Sequence, residues 1–169
     1  MLGRQWQLRA VHLAEVAHGS RRRCAQPASI GFSSEAGATF TCSVDGGSYS
    51  SCSSPKVLSG LSDGPHSFAV KARDAAGNVS DPASANWTVD TTAPAKPSLS
   101  GAPAGATSKT TVSLGVIAEN GTSLKCSIDG GSEAGCGSPL ELKDLADGAH
   151  SVSVKAVDAA GNASAAASA

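Results

Sequence analysis

The sequence predicts an all-β protein: two tandem β-sandwich modules behind a short N-terminal segment of irregular or helical character. Three observations point there. The chain contains a long internal duplication, each copy alternates apolar and polar residues with period two, and the composition favours turns over bulky cores. The 169 residues include 19 glycines and 8 prolines, and only 4% are aromatic. One large core would be short of bulky side chains, so two modest β-rich cores fit better. Short apolar runs separated by Gly, Ser and Asn point to a sandwich or barrel.

The duplication comes first, because a missed repeat mis-assigns the fold. Cys42 and Cys52 recur as Cys126 and Cys136, an offset of 84. The same offset maps Asp45-Gly46-Gly47-Ser48 onto Asp129-Gly130-Gly131-Ser132, and Ser54-Pro55 onto Ser138-Pro139. It maps Asp63-Gly64 onto Asp147-Gly148, His66-Ser67 onto His150-Ser151, and Val70-Lys71-Ala72 onto Val154-Lys155-Ala156. Asp74-Ala75-Ala76-Gly77-Asn78 falls on Asp158-Ala159-Ala160-Gly161-Asn162. Across residues 30–85 and 114–169 about 30 of 56 ungapped positions are identical.

Each copy reads as strands. Phe40, Cys42 and Val44 alternate with Thr39, Thr41 and Ser43, and Phe68, Val70 and Ala72 alternate with Ser67, Ala69 and Lys71. Leu124, Cys126 and Ile128, then Val152, Val154 and Ala156, repeat both patterns. Period two turns one face inward and the other to water, as in an antiparallel sheet. Asp-Gly-Gly supplies residues that accept positive φ in a tight turn. Asp63-Gly64 and Gly77-Asn78 are further turn signals. Trp87 and Val89, alternating with Asn86 and Thr88, read as a closing strand. Pro94 and Pro97 stiffen the stretch between the copies and bar helix there. The expected organisation is a non-repeat segment at 1–29, a first module at 30–90 and a second at 91–169. A short linker is expected near 90–96 and a new first strand around 97–100.

Five cysteines, four of them in two equivalent pairs, suggest two intramodule disulfides and one residue left over. Cys42–Cys52 and Cys126–Cys136 would each close a loop of about 11 residues, a constraint of roughly 2.5–3 kcal/mol in the chain-entropy model. That is a large share of the stability of a small domain. Disulfides persist in oxidising compartments, which favours an extracytoplasmic home. Zinc would want Cys-x-x-Cys or nearby His pairs, and a redox centre would want Cys-x-x-Cys at a helix start. The ten-residue spacing suits neither. Cys24 has no counterpart in the second copy.

The net charge of −1 gives no global attraction to nucleic acid. Residues 1–29 are basic, with Arg4, Arg9, Arg21, Arg22 and Arg23 against Glu15. Neither a heptad pattern nor a stacking set of aromatics accompanies those arginines, as nucleic-acid binding would want. No apolar run approaches the ~20 residues of a membrane span. Arg4, Gln5, Gln7, Arg9 and His12 interrupt any signal-peptide core. Leu2, Trp6, Ala10 and Leu13 fall at near-helical spacing, which could make a short helix, but the expected reading of residues 1–29 is a disordered, non-native leader.

The combined pattern is long. It runs Phe40-x-Cys42-x-Val44-Asp45-Gly46-Gly47, Cys52-x-Ser54-Pro55, and Leu61-x-x-Gly64-x-His66-x-Phe68-x-Val70-x-Ala72-x-Asp74-x-Ala76-Gly77-Asn78. It closes with Trp87-x-Val89-Asp90-Thr91-Thr92-Ala93-Pro94. This resembles the bacterial Ig-like repeat of large surface and secreted proteins, over roughly residues 30–169. The resemblance implies two tandem immunoglobulin-like β-sandwich modules, secreted or at the cell surface, with neighbouring repeats as partners and no catalytic residues. Two departures stand out. The first module lacks the Pro-containing opening seen at Pro94 to Gly101, and the second stops before a counterpart of Trp87 to Asp90. Each module is therefore expected to miss an edge strand, as if the chain were cut from a longer array with a mis-set start.

Calcium wants several oxygen ligands, and Asp74, Asn78, Asp81 and Asp90 are the candidates that could gather near the module junction. The competing reading is a strand-end turn in which Asp caps backbone N–H groups and Gly-Asn takes left-handed angles. No Asp-x-Asp-x-Asp-Gly loop is present. His66 and His150, one per module, read as hydrogen-bonding corner residues without an acidic partner at ligand spacing. No Gly-x-Ser-x-Gly elbow and no paired acids mark a catalytic site. Four Asn-x-Ser/Thr sequons, at Asn78, Asn86, Asn120 and Asn162, arise readily by chance in a Ser/Thr-rich chain. The expected function is a non-catalytic structural spacer or stalk without cofactor. The alternative is an adhesion or carbohydrate-binding module, calcium-stiffened or engaging extracellular polymers, which would need an exposed aromatic patch.

Overall fold

A computed structural model describes the backbone of residues 9–13 and the whole of residues 28–169. It divides into two compact units, Met1–Thr91 and Thr92–Ala169. Every regular element among the described residues is a β-strand.

Unit 1 contains β1 (Arg9–Leu13), β2 (Ala28–Ser33), β3 (Thr39–Val44), β4 (Ser50–Cys52), β5 (Lys56–Leu58), β6 (Gly64–Arg73) and β7 (Ala83–Val89). Three strands, β1-β2-β5, form one antiparallel sheet and four, β4-β3-β6-β7, form the other. In the constant-type immunoglobulin arrangement the fourth strand joins the sheet of the first, second and fifth. Here β4 pairs with β3 instead. Unit 2 repeats the three-plus-four plan with β8 (Ser98–Ser100), β9 (Val112–Ile117) and β12 (Leu140–Leu142) in one sheet. Its other sheet orders β11 (Ala134–Cys136), β10 (Ser123–Ile128), β13 (Val152–Val157) and β14 (Ala167–Ser168).

The pairing registers repeat at the sequence offset. Cys42 faces Val70 as Cys126 faces Val154, and Ala28 faces Leu58 as Val112 faces Leu142. The repeat is therefore in register from Ala28 onward. The period-two pattern explains why. On β6, His66, Phe68, Val70 and Ala72 are buried while the residues between them are not. A slip of one residue would turn that apolar row to water.

Unit 1 packs Ile30, Phe32, Cys42, Leu58, Phe68 and Val70 as its core, with Phe40, Leu61 and Trp87 against it. Phe32 lies edge-on to Phe40 at 5.0 Å and stacks on Phe68 at 5.8 Å. Burying Phe68 completely is worth about 2–3 kcal/mol. Unit 2 uses Val112, Leu114, Val116, Leu142, Val152 and Val154 around Cys126.

The edges differ from expectation. Arg9–Leu13 is a strand, not a helical turn, and it pairs antiparallel with β2 across an irregularity between Arg9 and His12. Leu13 faces Ile30, so β1 takes beside β2 the place that β8 takes beside β9. Sheet pairing with the β2 edge outweighs a helical spacing too short to sustain an isolated helix. Among the described residues unit 1 has seven strands, and unit 2 has its seventh as the two residues of β14. Leu2, Trp6 and Cys24 lie outside the described residues.

Candidate functional site

The most elaborate polar site occurs once in each unit, where the strand entering the Asp-Gly-Gly turn meets the start of the next long strand. Asp45 has φ 51° and Gly46 has φ 72°, and the Gly47 N–H closes the turn on the Val44 carbonyl at 2.9 Å. Two successive positive φ values are tolerated by Asp and Gly but resisted by β-branched residues. A Cβ at Gly47 would sit 3.1 Å from the Val44 carbonyl oxygen, which accounts for the second glycine. The turn aims the Asp45 carboxylate at β6. Oδ1 accepts the Ser67 N–H at 2.8 Å and Oδ2 meets His66 Nδ1 at 2.9 Å. The other ring nitrogen, Nε2, meets the Ser62 carbonyl at 2.8 Å.

Unit 2 rebuilds this clamp. Asp129 (φ 50°) accepts the Ser151 N–H at 2.7 Å and meets His150 Nδ1 at 2.8 Å, while Nε2 meets the Ala146 carbonyl at 2.9 Å. Each imidazole lies between two acceptors, an arrangement that favours the doubly protonated ring. The carbonyl, then the carboxylate, hold His66 and His150 above the usual 6.5. The Ser67 N–H, then His66, hold Asp45 below the usual 3.8; for Asp129 the order is His150, then the Ser151 N–H. An Asp–His pair is two-thirds of a hydrolytic triad. Here, however, the nitrogen that would take a proton from a nucleophile already donates to a backbone carbonyl. The arrangement ties a turn to a strand start.

Among the calcium candidates, the structure brings Asp74 and Asn78 together. Asp74 Oδ1 accepts the Asn78 N–H at 2.8 Å and Oδ2 accepts its side-chain amide at 2.7 Å. These bonds, the Asn78 amide first, hold the Asp74 carboxyl below 3.8. Gly77 alone takes the left-handed conformation, at φ 93°, whereas Asn78 does not. Asp81 accepts the Ser80 hydroxyl at its backbone carbonyl, 2.8 Å. Asp90 follows the end of β7. Among the described residues no three His, Cys, Asp or Glu side chains form a group that could hold a metal ion. Asp158 and Asn162 repeat the turn at 2.8 and 3.0 Å.

Cys42 pairs with Cys52 and Cys126 with Cys136 at disulfide distance, each with Cα atoms 5.9 Å apart, linking β3 to β4 and β10 to β11. Ser54 and Ser138, each before a cis proline, accept the N–H of Phe32 and of Val116 at 2.9 Å. Ser80 and Ser164 accept the N–H of Ala72 and Ala156 at 3.0 and 2.9 Å. The acidic partners Asp45 and Asp129, and the serine brackets, were not identified from sequence. The signal for them was present, since every one recurs at the offset of 84.

With this geometry in view, solved structures place the fold. The chain is similar to the fibronectin(III)-like modules of Clostridium thermocellum CbhA, with a TM-score of 0.54 and 17% identity, over 94% of this chain and 91% of that chain. It also aligns with a 1.5-MDa bacterial ice-binding adhesin at a TM-score of 0.41 and 15% identity, over 84% of this chain and 55% of that one. With the central fibronectin-III array of RIM-binding protein the TM-score is 0.33 and the identity 16%, over 95% and 66%. The chain thus spans about half of the adhesin structure. No family model and no curated protein matches the sequence. The first of these structures shows a tandem fibronectin(III)-like β-sandwich fold, which agrees with the pairing of β4 to β3 and with the sandwich implied by the bacterial Ig-like repeat.

Proposed function

We propose that the chain is a non-catalytic structural spacer from an extracellular or cell-surface bacterial protein, with neighbouring repeats as its natural contacts. The observation that carries this reading is the duplicated set of local braces. In each unit a disulfide, an Asp–His clamp, a serine bracket and an Asp–Asn turn each tie down one strand end, and none presents a free reacting group. Such braces raise the resistance of a small sandwich to unfolding, which is what a spacer needs. The disulfides favour an oxidising compartment. Tyr49 is the one exposed aromatic residue among the described residues, and Lys71 lies over its ring at 4.5 Å, so the described residues offer no aromatic platform for sugars.

Single-molecule pulling of the full chain tests the reading. Two separate unfolding events are expected under oxidising conditions. Each should lengthen by roughly 30 Å on reduction, the extended reach of the ten-residue separation between paired cysteines less the 5.9 Å already spanned by their Cα atoms. Extension without resolved resistance would overturn the spacer role.

A further inference from the structure

The chain holds four asparagines, and Asn120 alone precedes a glycine. Glu119-Asn120-Gly121-Thr122 forms the turn between β9 and β10. The Thr122 N–H closes it on the Glu119 carbonyl at 3.3 Å, and the Thr122 hydroxyl donates to the same oxygen at 2.7 Å. Gly121 takes a positive φ of 81°. Unit 1 builds the same turn from Glu35-Ala36-Gly37-Ala38, with the Ala38 N–H 3.3 Å from the Glu35 carbonyl and Gly37 at φ 84°. The backbone of the turn is shared between the units, and the asparagine is not.

An asparagine ahead of a glycine carries a latent reaction, because its side-chain carbonyl carbon is one five-membered ring away from the next backbone nitrogen. The ring forms where that nitrogen and the side-chain amide are both unengaged and the following residue adds no bulk. Asn120 and Gly121 are both exposed. The Gly121 N–H and the Asn120 side-chain amide have no hydrogen-bond partner among the described residues. Glycine places no Cβ beside the ring, and the space there is open to 4 Å. The other asparagines lack this freedom. Asn78 and Asn162 donate their side-chain amides to Asp74 and Asp158 at 2.7 and 3.0 Å, and they precede Val79 and Ala163. Asn86 lies within β7, ahead of Trp87.

We propose that Asn120 is a self-modification site, at which the chain converts asparagine to isoaspartate and aspartate with water as the co-reactant. The Gly121 nitrogen gives up its proton to base and attacks Asn120 Cγ. The N–Cγ bond forms, the Cγ–Nδ2 bond breaks, and the amide nitrogen leaves as ammonia after taking a proton back from solvent. Water then opens the cyclic imide. Opening at Cγ gives aspartate, and opening at the main-chain carbonyl gives isoaspartate, whose backbone runs through Cβ and Cγ. Neither step oxidises or reduces any atom. Both products place a new carboxylate beside Glu119, whose Oε2 accepts the Ala95 N–H at 3.0 Å. Glu119 thereby fastens the segment before β8 to this turn. Isoaspartate also adds one main-chain carbon between Glu119 and Thr122, so the closure of the turn is lost and Glu119 is drawn off Ala95. The turn is a slow covalent release for that segment, whatever role the chain as a whole performs.

The test incubates the full oxidised chain at mildly alkaline pH beside Asn120→Ala, which restores the Ala-Gly pair of unit 1. Trypsin cuts after Lys109 and Lys125 and delivers Asn120 within residues 110–125. Mass mapping with electron-driven fragmentation then separates asparagine, aspartate and isoaspartate, and amide NMR follows hydrogen exchange at Ala95. Asn120 should be lost about tenfold or more faster than Asn78, Asn86 and Asn162, with both acids formed and the rate rising with pH. Exchange at Ala95 should quicken as isoaspartate accumulates and stay constant over the same period in Asn120→Ala. Equal rates at all four asparagines, or aspartate without isoaspartate, would overturn the ring closure. Retention of Asn120 in the folded chain while the free peptide of residues 110–125 converts would overturn the claim that the turn leaves the reaction open. Unchanged exchange at Ala95 in the converted chain would overturn the release.

Discussion

Unit 1 and unit 2 share most of their polar bonds to about a tenth of an ångström, whereas the aromatic bulk of the first core is absent from the second. Ser43 and Ser127 donate to the carbonyls of Gly47 and Gly131 at 2.6 Å in both, and the serine brackets and Asp–His clamps match as closely. Yet Phe32, Phe40 and Phe68 stand where unit 2 has Val116, Leu124 and Val152. Hydrogen bonds need fixed distances and angles, so their residues persist through duplication. Apolar burial is non-directional, and a core tolerates exchange of aromatic for aliphatic side chains if the elements repack. The surface shows a third behaviour. Lys71 lies over the ring of Tyr49, whereas its equivalent Lys155 makes an ion pair with Glu133, the residue in the position of Tyr49. The contact is kept and its chemistry changed.

The largest break in this comparison should come from the cores. Phe68→Ala leaves a cavity and should cost about 3–5 kcal/mol, while Val152→Ala at the same register should cost roughly 2 kcal/mol. Hydrogen exchange resolved by unit is the measurement, and each loss should stay within its own unit. Next come the disulfides. Cys42→Ser with Cys52→Ser, or Cys126→Ser with Cys136→Ser, should each lower stability by about 2.5–3 kcal/mol, because the closed loops are equal in length. Unequal losses would show that the loop-entropy account misses a contribution from the differing cores.

The clamps should make both units most stable in mild acid. His66 and His150 are raised above 6.5 in the folded chain. Their contribution is therefore full below 6.5 and is lost as pH rises through the raised values. Asp45 and Asp129 are lowered below 3.8, so theirs is full above 3.8 and is lost as pH falls through the lowered values. Thermal melts should give the highest Tm between these limits and a decline toward pH 8. His66→Gln with His150→Gln should flatten the alkaline decline, and His66→Gln alone should destabilise more than His150→Gln because its ring is better covered. An unchanged alkaline limb in the double variant would show that the imidazolium clamp is not its cause. The smallest effect is at the surface. Tyr49→Glu should give unit 1 the salt sensitivity of unit 2, by less than about 1 kcal/mol, read from melts at low and high ionic strength.

Much of this was legible in the residues themselves. The offset of 84 marked the duplication, period-two alternation marked β3, β6, β10 and β13, and Asp-Gly-Gly marked the turn. All are local or periodic signals. The acidic partner of each histidine was not, because Asp45 and His66 lie 21 residues apart and meet only when β3 and β6 pair. The strand at Arg9–Leu13 was hidden for a related reason. Its residues have no equivalent elsewhere in the chain, and what orders them is the free edge of β2. Sequence alone therefore determined the repeat, its strand content and its turns, since these depend on neighbours along the chain. Tertiary structure decided which carboxylate meets which imidazole and which sheet β4 joins, since those depend on contacts that exist only after strands from distant parts of the chain have been brought together.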